Sequence, residues 1–506
     1  MRIDRFTKAA LCLIVLVSLF LRVESTLPIV RDVCIVGGGI GGMSVATFLK
    51  DRGYNPLVLE KEAVLGGCCN TVTFPQPDPN LAHAIDIGVI AFSNTTFLTQ
   101  AGFGGWTIDS VAFFERFVGT NGLIPVPIPL MAPELDVDMT TGQIVTPPAI
   151  NMTQFGDAIN RYIAFLASYP FFTTMIDRPD PIPSELLVPF EDFIVANNFQ
   201  VLGPLFRGIT AGGTTNYSSL SVWEAVRMAV NIEGMLSLIS SGPNVFSIKG
   251  GCIQLYNGMA AYLGSQNIWT SVNLQTSIRP PAGFDLPITL AGTKKVSIAG
   301  LTIEEPFVQL CEKLVVAIPP TLSALESFLD LDITESSLFS KVQHFNYYVT
   351  SADVEGPLVD DYPQEFSIGN FQNNQLYGLP VAPALVNMFR GYPYGPATVG
   401  MTSVDPLPLD QMIAIAQTQL DRTPKSLFTS AVLSVENAQA HVFEPYFPSS
   451  ELQQSPTAYT RLNNLQGRRN TYWSGSLLST VSHTLIINWA NTWVPAHFPA
   501  KNTHSG

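Results

Sequence analysis

Asp32 to Thr71, DVCIVGGGIGGMSVATFLKDRGYNPLVLEKEAVLGGCCNT, constrains this chain more than any other stretch. Val33 to Val36 is a short apolar strand, and Gly37, Gly39 and Gly42 follow at the G-x-G-x-x-G spacing. The first glycine permits a tight turn, the second lets backbone approach a pyrophosphate, and the third lets helix pack on strand. Gly38, Ile40 and Gly41 fill the positions between them. Met43 to Lys50 continues as a helix whose N-terminal N–H groups and positive dipole end face the phosphates. After Gly53 a second strand, Pro56 to Leu59, ends in Glu60, 18 residues past Gly42. An acid there is placed to hydrogen-bond ribose hydroxyls. Strand, glycines, helix, strand and terminal acid together predict a dinucleotide-binding β-α-β unit, and so an α/β chain. A glycine-rich turn without function is the alternative.

Glu60-Lys61-Glu62-Ala63-Val64-Leu65-Gly66-Gly67 resembles the extended fingerprint of the flavin-containing amine oxidase superfamily. In that family an acid-ended strand leads through a short loop to a Gly-Gly pair beside FAD. An Arg commonly comes next, whereas this chain has Cys68-Cys69-Asn70-Thr71, so that contact is not available. Asp86-Ile87-Gly88-Val89 is similar to the family's D-x-G turn. Phe246 to Cys252, with Leu255-Tyr256 and Ala260 to Leu263, resembles its element of a glycine pair followed by a helix. Leu314 to Pro320 resembles the strand ending in A-x-P. Tyr472-Trp473-Ser474-Gly475-Ser476, with a helix-like run Val481 to Val494, occupies the place of the C-terminal motif, where Ser476 replaces a usual acid. The resemblance implies FAD as cofactor. It puts Lys61, Gly66, Gly67, Cys68, Gly88, Val89, Gly475 and Ser476 beside it, in addition to the glycines and Glu60 read from spacing.

The resemblance also implies a discontinuous FAD-binding Rossmann-like domain over 26–95, 242–320 and 465–495. An inserted α+β substrate domain is expected over 96–241 and 321–464. The first insertion is rich in proline, as in Leu123-Ile124-Pro125-Val126-Pro127-Ile128-Pro129, which reads as extended because proline denies a helix its hydrogen bonds. Phe155 to Ser168, Val222 to Ile239 and Leu409 to Asp421 have helix-compatible spacing, and Phe345 to Thr350 is strand-like.

The N-terminus reads as a secretory signal peptide over residues 1–25. Arg2, Arg5 and Lys8 form a basic region, Ala9 to Leu21 an apolar stretch, and Val23 and Ser25 the small residues before a cut. An uncleaved anchor is the alternative, although the apolar stretch falls short of the ~20 residues that span a bilayer. Cleavage there predicts a secreted or secretory-lumen protein with no stable membrane insertion. It also removes four basic and two acidic residues, taking the net charge from −14 to −16. So acidic a chain is not expected to bind nucleic acid. Only 13% of the chain is charged while 46% is hydrophobic, which leaves a surface short of hydrating groups. Sequons at Asn94, Asn151 and Asn216 offer glycans to supply them.

Five cysteines remain beyond the leader: Cys34, Cys68, Cys69, Cys252 and Cys311. None shows disulfide-framework or metal spacing, so Cys34 reads as a small core residue and no metal site is expected. Cys68-Cys69 reads as small residues in a cofactor loop, with a reactive thiol as the alternative. Gly102-Phe103-Gly104-Gly105 lacks the strand and helix of a second dinucleotide unit, which leaves oxygen, another acceptor or the substrate itself to take electrons from the flavin. Phe113-Phe114, Phe171-Phe172 and Phe206 are candidates for an apolar tunnel, Arg116 or Arg207 for a carboxylate partner, and Trp473 for a wall beside the flavin. Plain core or surface roles are the alternatives for each, and no catalytic residue or oligomeric state can be named.

Within the superfamily the chain looks closest to secreted members of two kinds. The polyenoic fatty acid isomerase type of algae implies conversion of methylene-interrupted double bonds to conjugated ones without net redox change. The β-cyclopiazonate dehydrogenase type of fungi implies oxidation of an amine or alkaloid C–H bond. The isomerase is favoured, with a lipophilic fatty acid as small-molecule partner, and a flavin-binding glycoprotein without catalysis is the reading from another class.

Overall fold

The computed structural model describes residues 29–75, 84–125, 134–147, 149–176, 178–210, 217–228, 230–239, 244–298, 300–362, 365–373, 375–391 and 395–501. The leader, Asn216 and positions 126–129 lie outside them.

A seven-stranded sheet carries the dinucleotide unit. Arg31–Val36 lies between Pro56–Leu59 and the end of Leu301–Val316, parallel to both. Ile268–Trp269 extends the sheet beyond Pro56–Leu59, and Thr471–Trp473 pairs in parallel with residues 314–316. Val33, Cys34, Ile35, Leu57, Val58, Leu314 and Val315 are fully buried. Parallel strands covered on both faces need such continuous apolar runs, which is why no alternation marks them. Antiparallel Val272–Ile278 and Ile288–Ile298 continue the sheet along the other half of Leu301–Val316. The helix Ile40–Asp51 begins three residues before the expected Met43 and buries ten consecutive residues, Ile40 to Leu49. It packs against the helices Ile253–Leu263 and His483–His497.

A second sheet of eight strands is built mainly from the later part of the chain. Gln343–Glu355 pairs with Ala397–Ser403 on one edge, and with Ser430–Leu433 and Gln439–Tyr446 on the other. Ala384–Arg390 and Phe366–Asn370 follow, and the sheet ends in Glu134–Asp138 and Gln143–Val145 from the first insertion. The helix Leu409–Leu420 buries Met412, Ile413, Ala416 and Leu420, the stripe that its sequence spacing predicts.

Two expectations are corrected. Val222 to Ile239 forms two helices, Val222–Met228 and Ile232–Ile239. The cysteines do pair: Cys34 bonds Cys311 and Cys69 bonds Cys252, across separations of 277 and 183 residues. Cys34 and Cys311 meet because their strands are neighbours in the sheet. Spacing along the chain carries no trace of that adjacency, so the reading of Cys34 as a plain core residue fails.

Candidate functional site

Gly37 has φ +112°, and a Cβ there would meet the Ala317 carbonyl oxygen at 2.7 Å. On Gly42 a Cβ would lie 1.9 Å from the Gly37 oxygen, so only glycine lets the helix begin this close to its strand. Gly39 is the N-terminal cap of the helix, with neither a capping side chain nor an acidic residue in the first turn. The helix's own first turn therefore brings no anionic side chain, and its end is suited to a phosphate.

Glu60 is buried, with its Oε2 2.6 Å from the Gly38 N–H and its Oε1 2.8 Å from the Glu62 N–H. Each oxygen keeps a lone pair for a ribose hydroxyl. Lys61 instead stands exposed beside Glu62. The Gly66 N–H donates to the Gly38 carbonyl at 3.1 Å, seating the Gly-Gly loop on the glycine turn. Gly39, Gly67, Cys68, Gly88 and Val89 all retain exposure, whereas Leu65 and Gly66 do not. The Val89 N–H reaches the Cys68 carbonyl at 3.2 Å, so the D-x-G turn lies directly on this loop. Gly475 arrives from the far end of the chain. A Cβ on Gly41 would lie 2.9 Å from the Gly475 Cα, and the Ser474 hydroxyl donates to the Gly41 carbonyl at 3.2 Å. An open helix end, a carboxylate with spare acceptor capacity and loops that admit no Cβ fit FAD.

Asp86, the first residue of the D-x-G turn, organises the floor of this site. It accepts the Thr71 hydroxyl at 2.6 Å and the Cys252 N–H at 2.9 Å. Burial outweighs these bonds and pushes its carboxyl up to about 6. The Cys69–Cys252 disulfide then fastens the Gly-Gly loop to the turn of Gly250 and Gly251. Burial, with the Glu444 charge, pushes the free thiol of Cys68 up to about 11, so it is a poor nucleophile near neutral pH.

Opposite this loop stands the second sheet. The Thr398 hydroxyl donates to the Asp86 carbonyl at 2.9 Å. Tyr347, pushed up to about 12 by burial and by the Cys68 charge, shares its neighbourhood with that thiol. Half-buried aromatic rings pair across two adjacent strands, Tyr347 with Phe443 at 5.1 Å and Phe345 with Tyr446 at 5.2 Å. Between Phe443 and Tyr446 the register slips against Phe345 and Gln343, a bulge in which Glu444 takes φ +46°.

The tunnel candidates fall elsewhere. Phe113, Phe114, Phe171, Phe172 and Phe206 are all core, with Phe171 stacked on Trp223 at 4.7 Å. Arg207 pairs with Asp136 at 2.8 Å and Arg116 with Asp51 at 2.6 Å, so neither stands ready for a substrate carboxylate. Trp473 is buried against Phe339 at 4.3 Å. The aromatic pairs on the second sheet went unread because their partners lie about a hundred residues apart in the chain. Among the described residues no cluster of metal-binding side chains occurs, and no helix is long and apolar enough to cross a membrane.

Residues 35–100 match the NAD(P)-binding Rossmann-like domain family. The chain is 35% identical over 485 residues to the uncharacterized protein R656 of Acanthamoeba polyphaga mimivirus, covering 93% of this chain and 94% of that one. The FAD-dependent oxidoreductase dpasF of Apiospora sacchari is 28% identical over 90% of each chain. The β-cyclopiazonate dehydrogenase of Aspergillus oryzae is 24% identical over 91% of each. Among solved structures, the CLA-producing fatty acid isomerase from P. acnes superposes with a TM-score of 0.69 at 16% identity, covering 92% of this chain and 99% of that one. A putrescine oxidase does so at 0.59 and 14%, with the same coverage. These likenesses extend over nearly the whole chain, so they bear on the second sheet as well as on the glycine motif.

Proposed function

We propose that this chain, which belongs to the family of R656 and is related to FAD-dependent oxidoreductases, draws a hydride from a C–H bond of a small lipophilic substrate. The observation that carries this reading is the half-buried aromatic face of Phe345, Tyr347, Phe443 and Tyr446, set opposite the Gly66–Cys68 loop. FAD supplies the hydride acceptor when bound. The chain's part is to hold it, orient the substrate carbon and keep water out. Gly37, Gly38, Gly39, Ile40, Gly41 and Gly42 with Glu60 hold its nucleotide end in this reading. Gly66, Gly67, Cys68, Gly88, Val89, Gly475 and Ser476 stand toward the rest, and Lys61 is only a peripheral contact. The cofactor part spans 26–95, 242–320 and 465–495, and the substrate part the two segments between.

The first specific reading is isomerisation of a polyunsaturated fatty acid to a conjugated diene or triene. It is supported by the apolar character of the aromatic face and by a sequence with one dinucleotide unit. The second, oxidation of an amine or alkaloid C–H bond, is favoured by the engagement of Arg116 and Arg207, which withdraws both carboxylate partners. Purified protein mixed anaerobically with a polyunsaturated fatty acid separates them. Ultraviolet absorbance of a conjugated product growing without oxygen supports the isomerase. No product, with the flavin still yellow, sinks that reading for the acid tested and shifts the weight to the oxidase.

A secretory-lumen location is part of the proposal, supported by the leader-like N-terminus and by two disulfides, which persist in oxidising compartments. Asn151 is exposed and is the better glycan acceptor. Asn94 is half-buried; both side chains cap a helix through their Oδ1, so exposure alone separates the two.

A further inference from the structure

The C-terminal cofactor motif lacks its acid, yet the loop that follows Gly475 is tightly held. Arg227, on the helix Val222–Met228, is completely buried, and each of its three side-chain nitrogens donates. Its Nη1 donates to the Ser476 carbonyl at 2.8 Å and to the Ser479 carbonyl at 3.3 Å. Its Nη2 donates to the Pro445 carbonyl at 2.8 Å, and its Nε to Glu224 at 2.9 Å. In return the Thr480 hydroxyl donates to the Arg227 carbonyl at 2.5 Å. Arg178 reinforces the same loop, donating to the Leu478 carbonyl while its guanidinium lies 4.4 Å from the centre of the Tyr459 ring.

The Glu224 carboxylate keeps the buried guanidinium charged, and the Glu444 carboxyl stands beside it. Glu224 bonds it directly, and the Glu444 Oε1 stands 2.8 Å from its Nη2. Burial works against the Arg227 charge, but its acidic neighbours, Glu224 foremost, outweigh it and raise its pKa. Glu444 is strained into the left-handed region at the bulge, and neither of its oxygens has a hydrogen bond among the described residues. Strain and an unsatisfied buried carboxyl at one residue mark a position that its surroundings enforce.

We propose that Arg227, held by Glu224 and Glu444, is a positioning residue that fixes the loop 474–480 against the first turn of the Ile40–Asp51 helix. It thereby makes FAD seating depend on the substrate part of the chain. The loop is gripped from two sides. Gly475 and Ser474 meet Gly41 on one, and Arg227 and Arg178 draw in the carbonyls of Ser476, Leu478 and Ser479 on the other. The guanidinium's planar fork can serve several carbonyls at once, which an ammonium cannot. Through Glu444 and Pro445 the same side chain touches the bulge beside Phe443 and Tyr446. The position of the aromatic face is thus tied to that of the cofactor loop.

The inference rests on the FAD reading, and the test separates the two. FAD affinity of the full-length protein would be measured by flavin fluorescence on reconstitution, with the visible circular dichroism of the bound flavin recorded alongside. Arg227→Met and Arg178→Met are expected to weaken FAD by roughly tenfold or more, the scale of a lost charge-assisted hydrogen bond, and to alter the dichroism. Arg227→Lys, which restores the charge but fewer bonds, is expected to recover part of both. If the Arg227 variants do not fold, Arg178→Met decides, because its side chain is only half-buried. Folded variants with wild-type affinity and dichroism would overturn the inference alone. A wild-type protein that takes up no FAD would overturn the FAD reading with it.

Discussion

The centres of the two sheets are stabilised by different means. The parallel strands around Arg31–Val36 bury apolar side chains at their centre, and the two disulfides fasten Cys34 to Cys311 within the sheet and Cys69 to Cys252 beside the Gly-Gly loop. The second sheet buries carboxyl groups against arginines instead, Asp136 against Arg207 and Glu444 against Arg227, whereas on the first sheet the buried pair of Arg279 and Glu335 lies past the end of Val272–Ile278. Apolar burial is indifferent to pH and needs no partner, whereas a buried ion is costly unless its partner stays in place. A cofactor cradle has to hold one shape. The buried pairs at Arg227 and Arg279 stand where the cheapest packing would put leucines, which points to constraints other than stability.

The largest expected effect comes from the covalent side of this contrast. Replacing Cys69 and Cys252 together by Ser should cost about 2–4 kcal/mol in urea unfolding, since the bond closes a long loop. It should also loosen FAD, because the Gly-Gly loop loses its tie to Gly250 and Gly251. Unchanged stability and unchanged flavin content would show that the cradle is rigid without its staple. Gly42→Ala ranks next. The added Cβ falls 1.9 Å from a backbone oxygen, so the helix must shift, at about 1–3 kcal/mol for overpacking. Flavin absorbance of the purified variant measures the effect, and full FAD content would mean that the turn can move without harm.

The same contrast explains what the sequence disclosed. The glycines from Gly37 to Gly42, the strands that flank them and Glu60 obey local rules, because a tight turn and a close helix approach constrain the residues that perform them. The helix Leu409–Leu420 was legible for a similar reason, its apolar stripe being set by its own period. Cys34 with Cys311, Arg227 with Ser476 and Tyr347 with Phe443 obey no local rule. Each pair joins segments far apart in the chain, and either residue alone looks ordinary. The break between Val222–Met228 and Ile232–Ile239 was missed differently, since the apolar periodicity continues across it. The Phe-Phe pairs misled because core and tunnel draw on the same residue types.

The smallest effect is also the sharpest probe of the substrate side. Burial, against the attraction of Arg227 and with the repulsion of Glu224, pushes the Glu444 carboxyl up to about 8, while Arg178 also acts to lower it. Cys68 is its other titratable neighbour. An unfolded glutamate releases its proton near about 4.3, so between there and about 8 the folded chain holds a proton that the unfolded chain has lost. Stability therefore falls as pH rises through that window, and the fall ends above it. Asp86, at about 6, contributes the same sign at lower pH. His441 and His483, pushed down to about 4 and about 3 by burial, contribute the opposite sign, complete once pH exceeds their unfolded value near about 6.5. Between about 6.5 and 8 the Glu444 slope stands clear of all three. Glu444→Gln should flatten the decline of Tm across that interval, read by thermal unfolding at matched ionic strength. Parallel slopes in the two proteins would mean that Glu444 is ionised in its pocket, paired with Arg227 as an ordinary buried salt bridge. The second sheet would then differ from the first in its chemistry, but not in its response to pH.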